Sequence, residues 1–411
     1  MKKGLKNLVV AGLSMISLVA CGSSASNNAS NASNASGSTE TSIKVGLIAL
    51  HDTNSTYDKN FIDSFNAACT KLNVTPIIKT NIEEGEAAYT AAADLVDQGC
   101  KFIFADSFGH EEFIIKAAQE FTNVQFSHAT GTKAHTQNLS NYHNAFANIY
   151  QGRYLAGVAA GLKLKAMLEA DPNTSTKIGY VGAYPYAEVK SGYTSYYLGV
   201  KSIVDNVTMS VKFTNSWYDE TGEKNAALAL INDGCSIISQ HADSWGAPTA
   251  CETSGVPNVT YNGSTEENCP NTYLISSKVN WEPYFEYAIT QVKESKAIDT
   301  DWCQGLGDDF TSGSVALAEP GKKASVEGTK DYLEKVAAKL KDGSLKVFDC
   351  STFTVDGEHL TSYLADVDDD GTYTHETEVV KTVDGVTYFA ESEFRSAPYF
   401  DLDIDGISEL K

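Results

Sequence analysis

One phrase is used twice in this chain, and it constrains the fold more than any other feature. Val96-Asp97-Gln98-Gly99-Cys100-Lys101-Phe102-Ile103 and Ile231-Asn232-Asp233-Gly234-Cys235-Ser236-Ile237-Ile238 each read as a helix end, a glycine cap and the start of a buried strand. Around the first copy, apolar runs at 43–50, 74–79, 102–105 and 124–126 read as strands. Amphipathic stretches at 61–72, 86–98 and 111–121 read as helices between them, the first with Phe61, Phe65, Ala68 and Leu72 on one face. After a long helix at 151–168 the rhythm restarts, with strands at 178–182, 209–214 and 236–239 and helices at 188–204 and 224–233. Strands alternating with helices predict an α/β fold of two Rossmann-like lobes, each with a parallel sheet. Two such sheets in one chain set their strand C-termini around a shared, hinged cleft, where ligands of open α/β sheets bind.

The beginning of the chain is of a different kind. Lys2, Lys3 and Lys6 precede an apolar stretch from Leu8 to Ala20 with no acidic residue, the pattern of a secretory signal peptide. That stretch falls short of the roughly 20 residues a bilayer-spanning helix needs. Leu18-Val19-Ala20-Cys21-Gly22 resembles the lipobox of bacterial lipoproteins, which implies that Cys21 becomes the acylated first residue and holds the protein on the extracytoplasmic side of the cell membrane. Residues 22–42 are Ser, Asn, Ala, Gly and Thr with one charge at Glu40, a composition that cannot bury a core and serves as a flexible tether. The Asn-Ala-Ser repeats at Asn28, Asn31 and Asn34 fit the glycosylation pattern, but low-complexity drift is the reading adopted.

Charge excludes some partners. The chain has 31 basic and 53 acidic residues; without the three leading lysines the balance is 28 to 53, a formal charge of −25. That argues against nucleic acid and anionic lipid as partners. Beyond Cys21 stand Cys69, Cys100, Cys235, Cys251, Cys269, Cys303 and Cys350, with no Cys-x-x-Cys spacing to suggest zinc or a thioredoxin-like site. Export permits disulfides. Cys69 with Cys100 and Cys235 with Cys251 are the pairs expected from neighbouring elements, with buried free thiols as the alternative.

Seven phrases in order carry a family resemblance. They are Ser107-Phe108-Gly109, Phe126-Ser127-His128-Ala129-Thr130-Gly131, Gln151-Gly152-Arg153-Tyr154-Leu155-Ala156-Gly157, Ile178-Gly179-Tyr180-Val181-Gly182, Thr214-Asn215-Ser216-Trp217-Tyr218-Asp219, Gln240-His241-Ala242-Asp243-Ser244 and Asn280-Trp281-Glu282-Pro283-Tyr284. Over roughly residues 43 to 320 the chain resembles the basic membrane protein family of lipoprotein receptors, which includes purine-nucleoside and nucleobase receptors of ABC importers. The resemblance implies a periplasmic-binding-protein type I arrangement, a small-molecule, purine-like ligand, an ABC permease as membrane partner, a monomer, no cofactor and no catalysis. Two departures stand out: Asn54-Ser55-Thr56-Tyr57 replaces a Gly-Trp-Thr-Tyr phrase, leaving Ser55 where a stacking Trp is common, and Asp58-Lys59-Asn60-Phe61 keeps only part of an Asp-Asp-Lys-Ser-Phe phrase.

A planar purine needs aromatic faces and polar groups set to its edge. Tyr57, Phe108, Trp217 and Trp281 stand at expected strand ends and are the candidate faces, with core or lobe-interface packing as the alternative for each. Asp58, Ser107, His128, Thr130 and Asp243 are the candidate polar contacts; Asp58 and Asp243 read equally well as helix caps, and Asp219 reads as a cap. Catalysis has little support, since no Gly-x-Ser-x-Gly elbow, His-Glu-x-x-His or phosphate-binding glycine loop occurs. Alternatives within the same fold are a receptor that signals to a membrane sensor and a receptor for a non-purine ligand such as a sugar. Asp366, Asp368 and Asp370 begin like a calcium loop, but position twelve is Thr377, so a solvated acidic turn is the reading adopted and no metal is assigned.

The expected organisation is a signal peptide at 1–20, a tether at 21–42, an N-terminal lobe at 43–150 plus about 281–307, a C-terminal lobe at 151–280 plus about 308–357, and an acidic extension at 358–411. Crossings between the lobes are expected near Tyr150, Lys278 and Gly307.

Overall fold

The computed structural model describes residues 42–367 and 375–411. Cys21, the leader and the tether lie outside the described residues, as do Asp368 and Asp370 of the acidic turn.

The first half runs β1 (Lys44–Ile48), α1 (Thr56–Leu72), β2 (Thr75–Lys79), α2 (Glu86–Asp97), β3 (Cys100–Ala105), α3 (Glu111–Glu120), β4 (Gln125–Ala129), α4 (Ala134–Gln137) and β5 (Tyr142–Ala147). The second half runs α5 (Ile149–Ala170), β6 (Lys177–Gly182), α6 (Ala187–Lys201), β7 (Thr208–Phe213), α7 (Glu220–Asn232), β8 (Ile238–His241), α8 (Gly246–Ser254), β9 (Asn258–Tyr261) and β10 (Tyr273–Val279). The chain then returns through α9 (Glu282–Lys293), β11 (Asp301–Gln304), β12 (Val315–Leu317) and α10 (Thr329–Lys341). Five short strands end it: β13 (Leu364–Ala365), β14 (Thr377–Glu378), β15 (Val380–Val383), β16 (Val386–Phe389) and β17 (Ile407–Glu409).

Two sheets result, one in order β11-β5-β4-β3-β1-β2 and one in order β12-β10-β9-β8-β6-β7-β17. The first is parallel throughout, and in the second only β12 runs antiparallel to its neighbour. The fold is α/β in two lobes with parallel sheets, and the chain passes between them from β5 to α5, from β10 to α9 and from β11 to β12.

Local chemistry explains the elements. Ser55 caps α1 by accepting from the Asp58 N–H, and Asn73 ends it in the left-handed conformation. The repeated phrase forms the same turn twice: Gly99 and Gly234 take φ of +90° and +87°, a region that favours glycine, and each N–H returns to the helix, to Val96 O and Ile231 O. Each strand then enters the interior.

Both faces of each sheet are covered, so the strands read as apolar runs. In the first lobe Phe61, Phe65 and Phe285 from α1 and α9 pack on Phe102 and Phe104, while α2 and α3 cover Ile103 and Ala105 on the opposite face. In the second lobe α5 and α6 approach unusually closely because Gly157 and Gly199 face each other. A Cβ on Gly157 would stand 2.1 Å from the Tyr196 carbonyl oxygen, and one on Gly199 2.2 Å from that of Tyr154.

The cysteine pairs expected from spacing do not form; Cys69, Cys100, Cys235 and Cys251 are all free and buried. Cys69 belongs to the α1 side of the first sheet and Cys100 to the other side, so the sheet itself separates them. Cys235 and Cys251 share one apolar cluster as separate small hydrophobes, and burial pushes the Cys235 thiol up to about 12.

Among the described residues, the C-terminal segment 375–411 packs mainly on the second lobe. β17 extends that sheet beside β7, pairing Ile407 with Met209, and Phe400 stacks on Phe348 with centroids 4.5 Å apart. Lys190 of α6 donates to the Asp401 carbonyl at 3.1 Å and to Asp403 Oδ1 at 2.7 Å. The segment also touches the first lobe, where Ser396 N donates to Asp301 Oδ2 at 2.9 Å.

Candidate functional site

In each sheet the strand order reverses once, between β1 and β3 and between β6 and β8. Ligands of open α/β sheets bind beyond the strand C-termini at such points. Here the two points face each other. A narrow cleft lies between them, with about 20 Å³ of open space, lined by Leu50, His51, Tyr57, Asp58, Ser107, Phe108, Thr130, Glu188, Trp217, His241 and Asp243. That is room for about one water, so the lobes stand nearly closed on each other. The lobes meet at its edge: Thr56 N and Oγ1 donate to the Asp243 carbonyl at 2.9 and 3.1 Å, and the His51 and Tyr218 rings stand 5.5 Å apart.

Of the nine residues expected to contact ligand, seven line this cleft: Tyr57, Asp58, Ser107, Phe108, Thr130, Trp217 and Asp243. The other two are placed elsewhere. His128 lies fully buried at the end of β4, with Nε2 2.6 Å from the Ser107 carbonyl, and supports the loop that carries Ser107 and Phe108. Trp281 is a correction: it is 1 % exposed, stacked on Phe61 at 4.4 Å and set against Phe104 at 5.5 Å. It opens the helical stripe Trp281, Tyr284, Phe285 and Ala288, all buried in the first lobe.

The two cap alternatives also resolve. Ser55, not Asp58, is the N-cap of α1, and Trp245 holds the N-cap position of α8, so Asp243 caps nothing. Asp219 is a cap, accepting from Gly222 N at 2.9 Å.

Two carboxyl groups, Asp58 and Asp243, line the cleft, and a third, Asp106, is buried near Asp58. Asp58 Oδ1 accepts from His51 N at 2.6 Å and Oδ2 from Ser55 Oγ at 2.5 Å. Burial pushes the Asp58 carboxyl up, but the hydrogen bonds from His51 and Ser55 outweigh it and hold it below the ordinary range. Asp106 Oδ1 accepts from Leu50 N at 3.1 Å, while Oδ2 is buried with no hydrogen-bond partner among the described residues. Burial first, then the charge of Asp58, pushes Asp106 well above the usual carboxylate range. Asp243 goes the same way, from burial first and then from the charges of Asp58, Glu223 and Glu188. Asp106 and Asp243 are thus shifted toward the neutral form and Asp58 toward the charged one.

Beneath the second-lobe wall, Arg153 supplies a buried cation. Its Nη2 donates to Tyr180 Oη at 2.6 Å and to the Gln240 carbonyl at 3.1 Å, and its guanidinium lies 3.6 Å from the centroid of the Tyr261 ring. His241 Nε2 stands 3.4 Å from Glu188 Oε1. Thr130 holds φ at +60°, costly for a β-branched residue, where the chain leaves β4 for the cleft.

Sequence reasoning missed Leu50, His51, Asp106, Glu188 and His241. Asp106 and His241 carried a usable signal, a polar residue at or just past the end of an apolar strand. It also missed Tyr184 and Tyr186, which stack at 5.1 Å and extend an aromatic cluster to Trp217 and Phe108 at the cleft mouth.

This geometry has known relatives. The chain is 32 % identical over 270 residues to a purine-binding protein of Brucella abortus, covering 65 % of this chain and 71 % of that one. It is 31 % identical over 252 residues to a putative ABC transporter glucose-binding protein of Haloferax volcanii, covering 61 % of this chain and 60 % of that one. Among solved structures, an ABC transporter solute-binding protein of Aeropyrum pernix superposes with a TM-score of 0.62 at 16 % identity, over 74 % of this chain and 93 % of its own. One from Conexibacter woesei gives 0.60 at 17 % identity, over 74 % and 98 %. These two share the type I periplasmic-binding fold. The family model Bmp, described as ABC transporter substrate-binding protein PnrA-like, matches residues 46–341. Spanning every residue of the cleft and nearly all of both sheets, β17 excepted, that match places the chain in the Bmp family of PnrA-like ABC transporter substrate-binding proteins.

Proposed function

We propose that this protein is an extracytoplasmic receptor, anchored through an acylated Cys21, that captures a purine nucleobase or nucleoside and delivers it to an ABC permease. The observation that carries the ligand reading is the cleft itself, where Tyr57, Phe108 and Trp217 share one small volume with Asp58 and Asp243. A purine presents a flat face and an edge of alternating donors and acceptors. Aromatic side chains suit the face, and carboxyl groups suit the donors of the edge. The name of the Brucella abortus relative supports the same class.

A sugar is the second reading, favoured by the name of the Haloferax volcanii relative. A thermal-shift screen of nucleobases, nucleosides, sugars and amino acids separates them, since a ligand bound only by the folded form raises the melting temperature by mass action. Calorimetry on Trp217→Ala follows. Stacking on one aromatic is worth roughly 1–3 kcal/mol, so affinity for the purine should fall about 5- to 150-fold. A screen in which sugars stabilise the protein and purines do not refutes the purine reading. For the anchor, a Cys21→Ala variant should be released from the membrane and lose fatty-acid labelling, with ligand binding unchanged.

A further inference from the structure

The inner cleft has room for about one water, so a small molecule enters it only when the lobes part. The chain crossings form the hinge for that movement, and the C-terminal segment is laid over two of them. Phe389 and Glu391 share a pocket with Tyr150 and Gln151, which lie in the first turn of α5, directly after the first crossing. Further on, Ser396 reaches the first lobe, where its N–H donates to Asp301 Oδ2 at 2.9 Å. Asp301 is the first residue of β11, the strand that leads into the last crossing. The chain then turns back into the second lobe, with Phe400 stacked on Phe348 and β17 paired to β7.

The loop between these points is stiff. Tyr399 Oη accepts from Glu393 N at 3.1 Å and donates to the Ala390 carbonyl, which ties the two ends of the loop together. At its tip, Arg395 Nε donates to the Ala397 carbonyl at 3.1 Å and Nη2 to that of Pro398 at 3.2 Å. Ser396 and Ala397 are buried. The Asp301 side chain is buried as well, and the same Oδ2 stands 3.2 Å from Nε2 of His135 in α4. A backbone N–H on a carboxylate makes one of the stronger kinds of hydrogen bond. A stiff loop rooted in one lobe and bonded to the other cannot follow both as they separate: either Ser396 releases Asp301 or the lobes stay together.

We propose that residues 390–401 are a brace across the hinge, which holds the lobes near each other until the Ser396–Asp301 bond breaks and so sets how often the cleft opens. The brace lies wholly beyond residues 46–341, the stretch that the family model matches. It rests on the reading of the cleft as a capture site, and not on which molecule is captured.

The test is hydrogen exchange on the ligand-free full chain, read at the Thr56 amide. As the first residue of α1, Thr56 has no N–H partner within its helix and donates across the lobes to the Asp243 carbonyl at 2.9 Å, so its exchange reports parting. Asp301→Ala removes the acceptor of the brace. Ser396→Pro removes the donor and leaves Asp301 with His135. Each should speed Thr56 exchange about tenfold or more, with exchange unchanged at Phe104 and Val181 inside the two sheets. Ser396→Ala keeps the N–H and should exchange like wild type. Melting temperatures establish that the variants are folded, and if Asp301→Ala is not, Ser396→Pro decides, since its loop lies outside both sheets. Thr56 exchange at the wild-type rate in Ser396→Pro, or a rise shared alike by Phe104 and Val181, overturns the brace. The capture reading then still stands, because no ligand enters the measurement.

Discussion

Replacing Trp281 with alanine separates packing from ligand contact. Trp281 is the largest fully buried side chain of the described residues, and its indole is surrounded by Phe61 at 4.4 Å, Phe104 at 5.5 Å, Phe146 at 6.0 Å and Phe285 at 6.2 Å. The rings around it belong to α1, β3, β5 and α9, so a cavity there is bounded by four elements that cannot all close in. A large aromatic truncated to alanine in such a place costs about 3–5 kcal/mol. The expected result is a fall in the urea midpoint with an unchanged slope, and a drop in melting temperature on the order of 5–10 °C. Affinity for the ligand that the thermal-shift screen identifies, measured where the variant is folded, should stay within about threefold of wild type. A Trp281→Ala protein that melts within about 2 °C of wild type but binds more than tenfold more weakly would mean the indole touches ligand. The assignment of Trp281 to the core would then be wrong.

Gly157→Ala should destabilise the second lobe by roughly 1–3 kcal/mol or more in urea unfolding, because its Cβ would meet the Tyr196 carbonyl at 2.1 Å, and this exceeds the roughly 1 kcal/mol that alanine gains over glycine in a helix. A variant as stable as wild type refutes the close contact of α5 and α6. Burial pushes the Glu391 carboxyl up to about 7, so the folded protein holds a proton there that the unfolded chain has released; the associated stability is present at acidic pH and is lost as pH rises toward 7. Glu391→Gln should therefore flatten that decline, by at most about 3 kcal/mol, in denaturation curves taken from pH 5 to 8; an unaltered decline counts against it. Thiol titration of the unreduced, denatured protein should find all seven cysteines from Cys69 to Cys350 reactive, and native protein should react slowly because six of them are buried. Fewer thiols than seven would mean a disulfide.

The architecture was largely legible because parallel strands covered on both faces must be apolar runs, and helices between them must show one apolar face. The duplicated Gly-Cys turn was legible for the same reason that it folds twice: only glycine enters the left-handed region readily at that point. Face was harder to read than element. Cys69 and Cys100 sit on neighbouring elements, yet a one-dimensional spacing does not say that a sheet passes between them. Trp281 was assigned to the cleft from the strand before it, while the stripe it forms with Tyr284, Phe285 and Ala288 after it is an ordinary buried helix pattern. Seven cleft residues were found because strand-end loops carry sites in open sheets. Asp106 was passed over although it adjoins Ser107, and Glu188 was hidden because it enters from the first turn of a helix, where an acid has a sufficient local reason to be.

The Thr56–Asp243 contact and the apposed rings of His51 and Tyr218 have a kinetic consequence. With the lobes this near, a molecule in the inner cleft leaves only when they part, so its residence time follows the frequency of parting more than the sum of its contacts. Residues at the lobe edge that never touch the captured molecule therefore govern how long it stays. Weakening the edge should hasten both arrival and departure, and the equilibrium affinity shifts only as far as the population of parted lobes does.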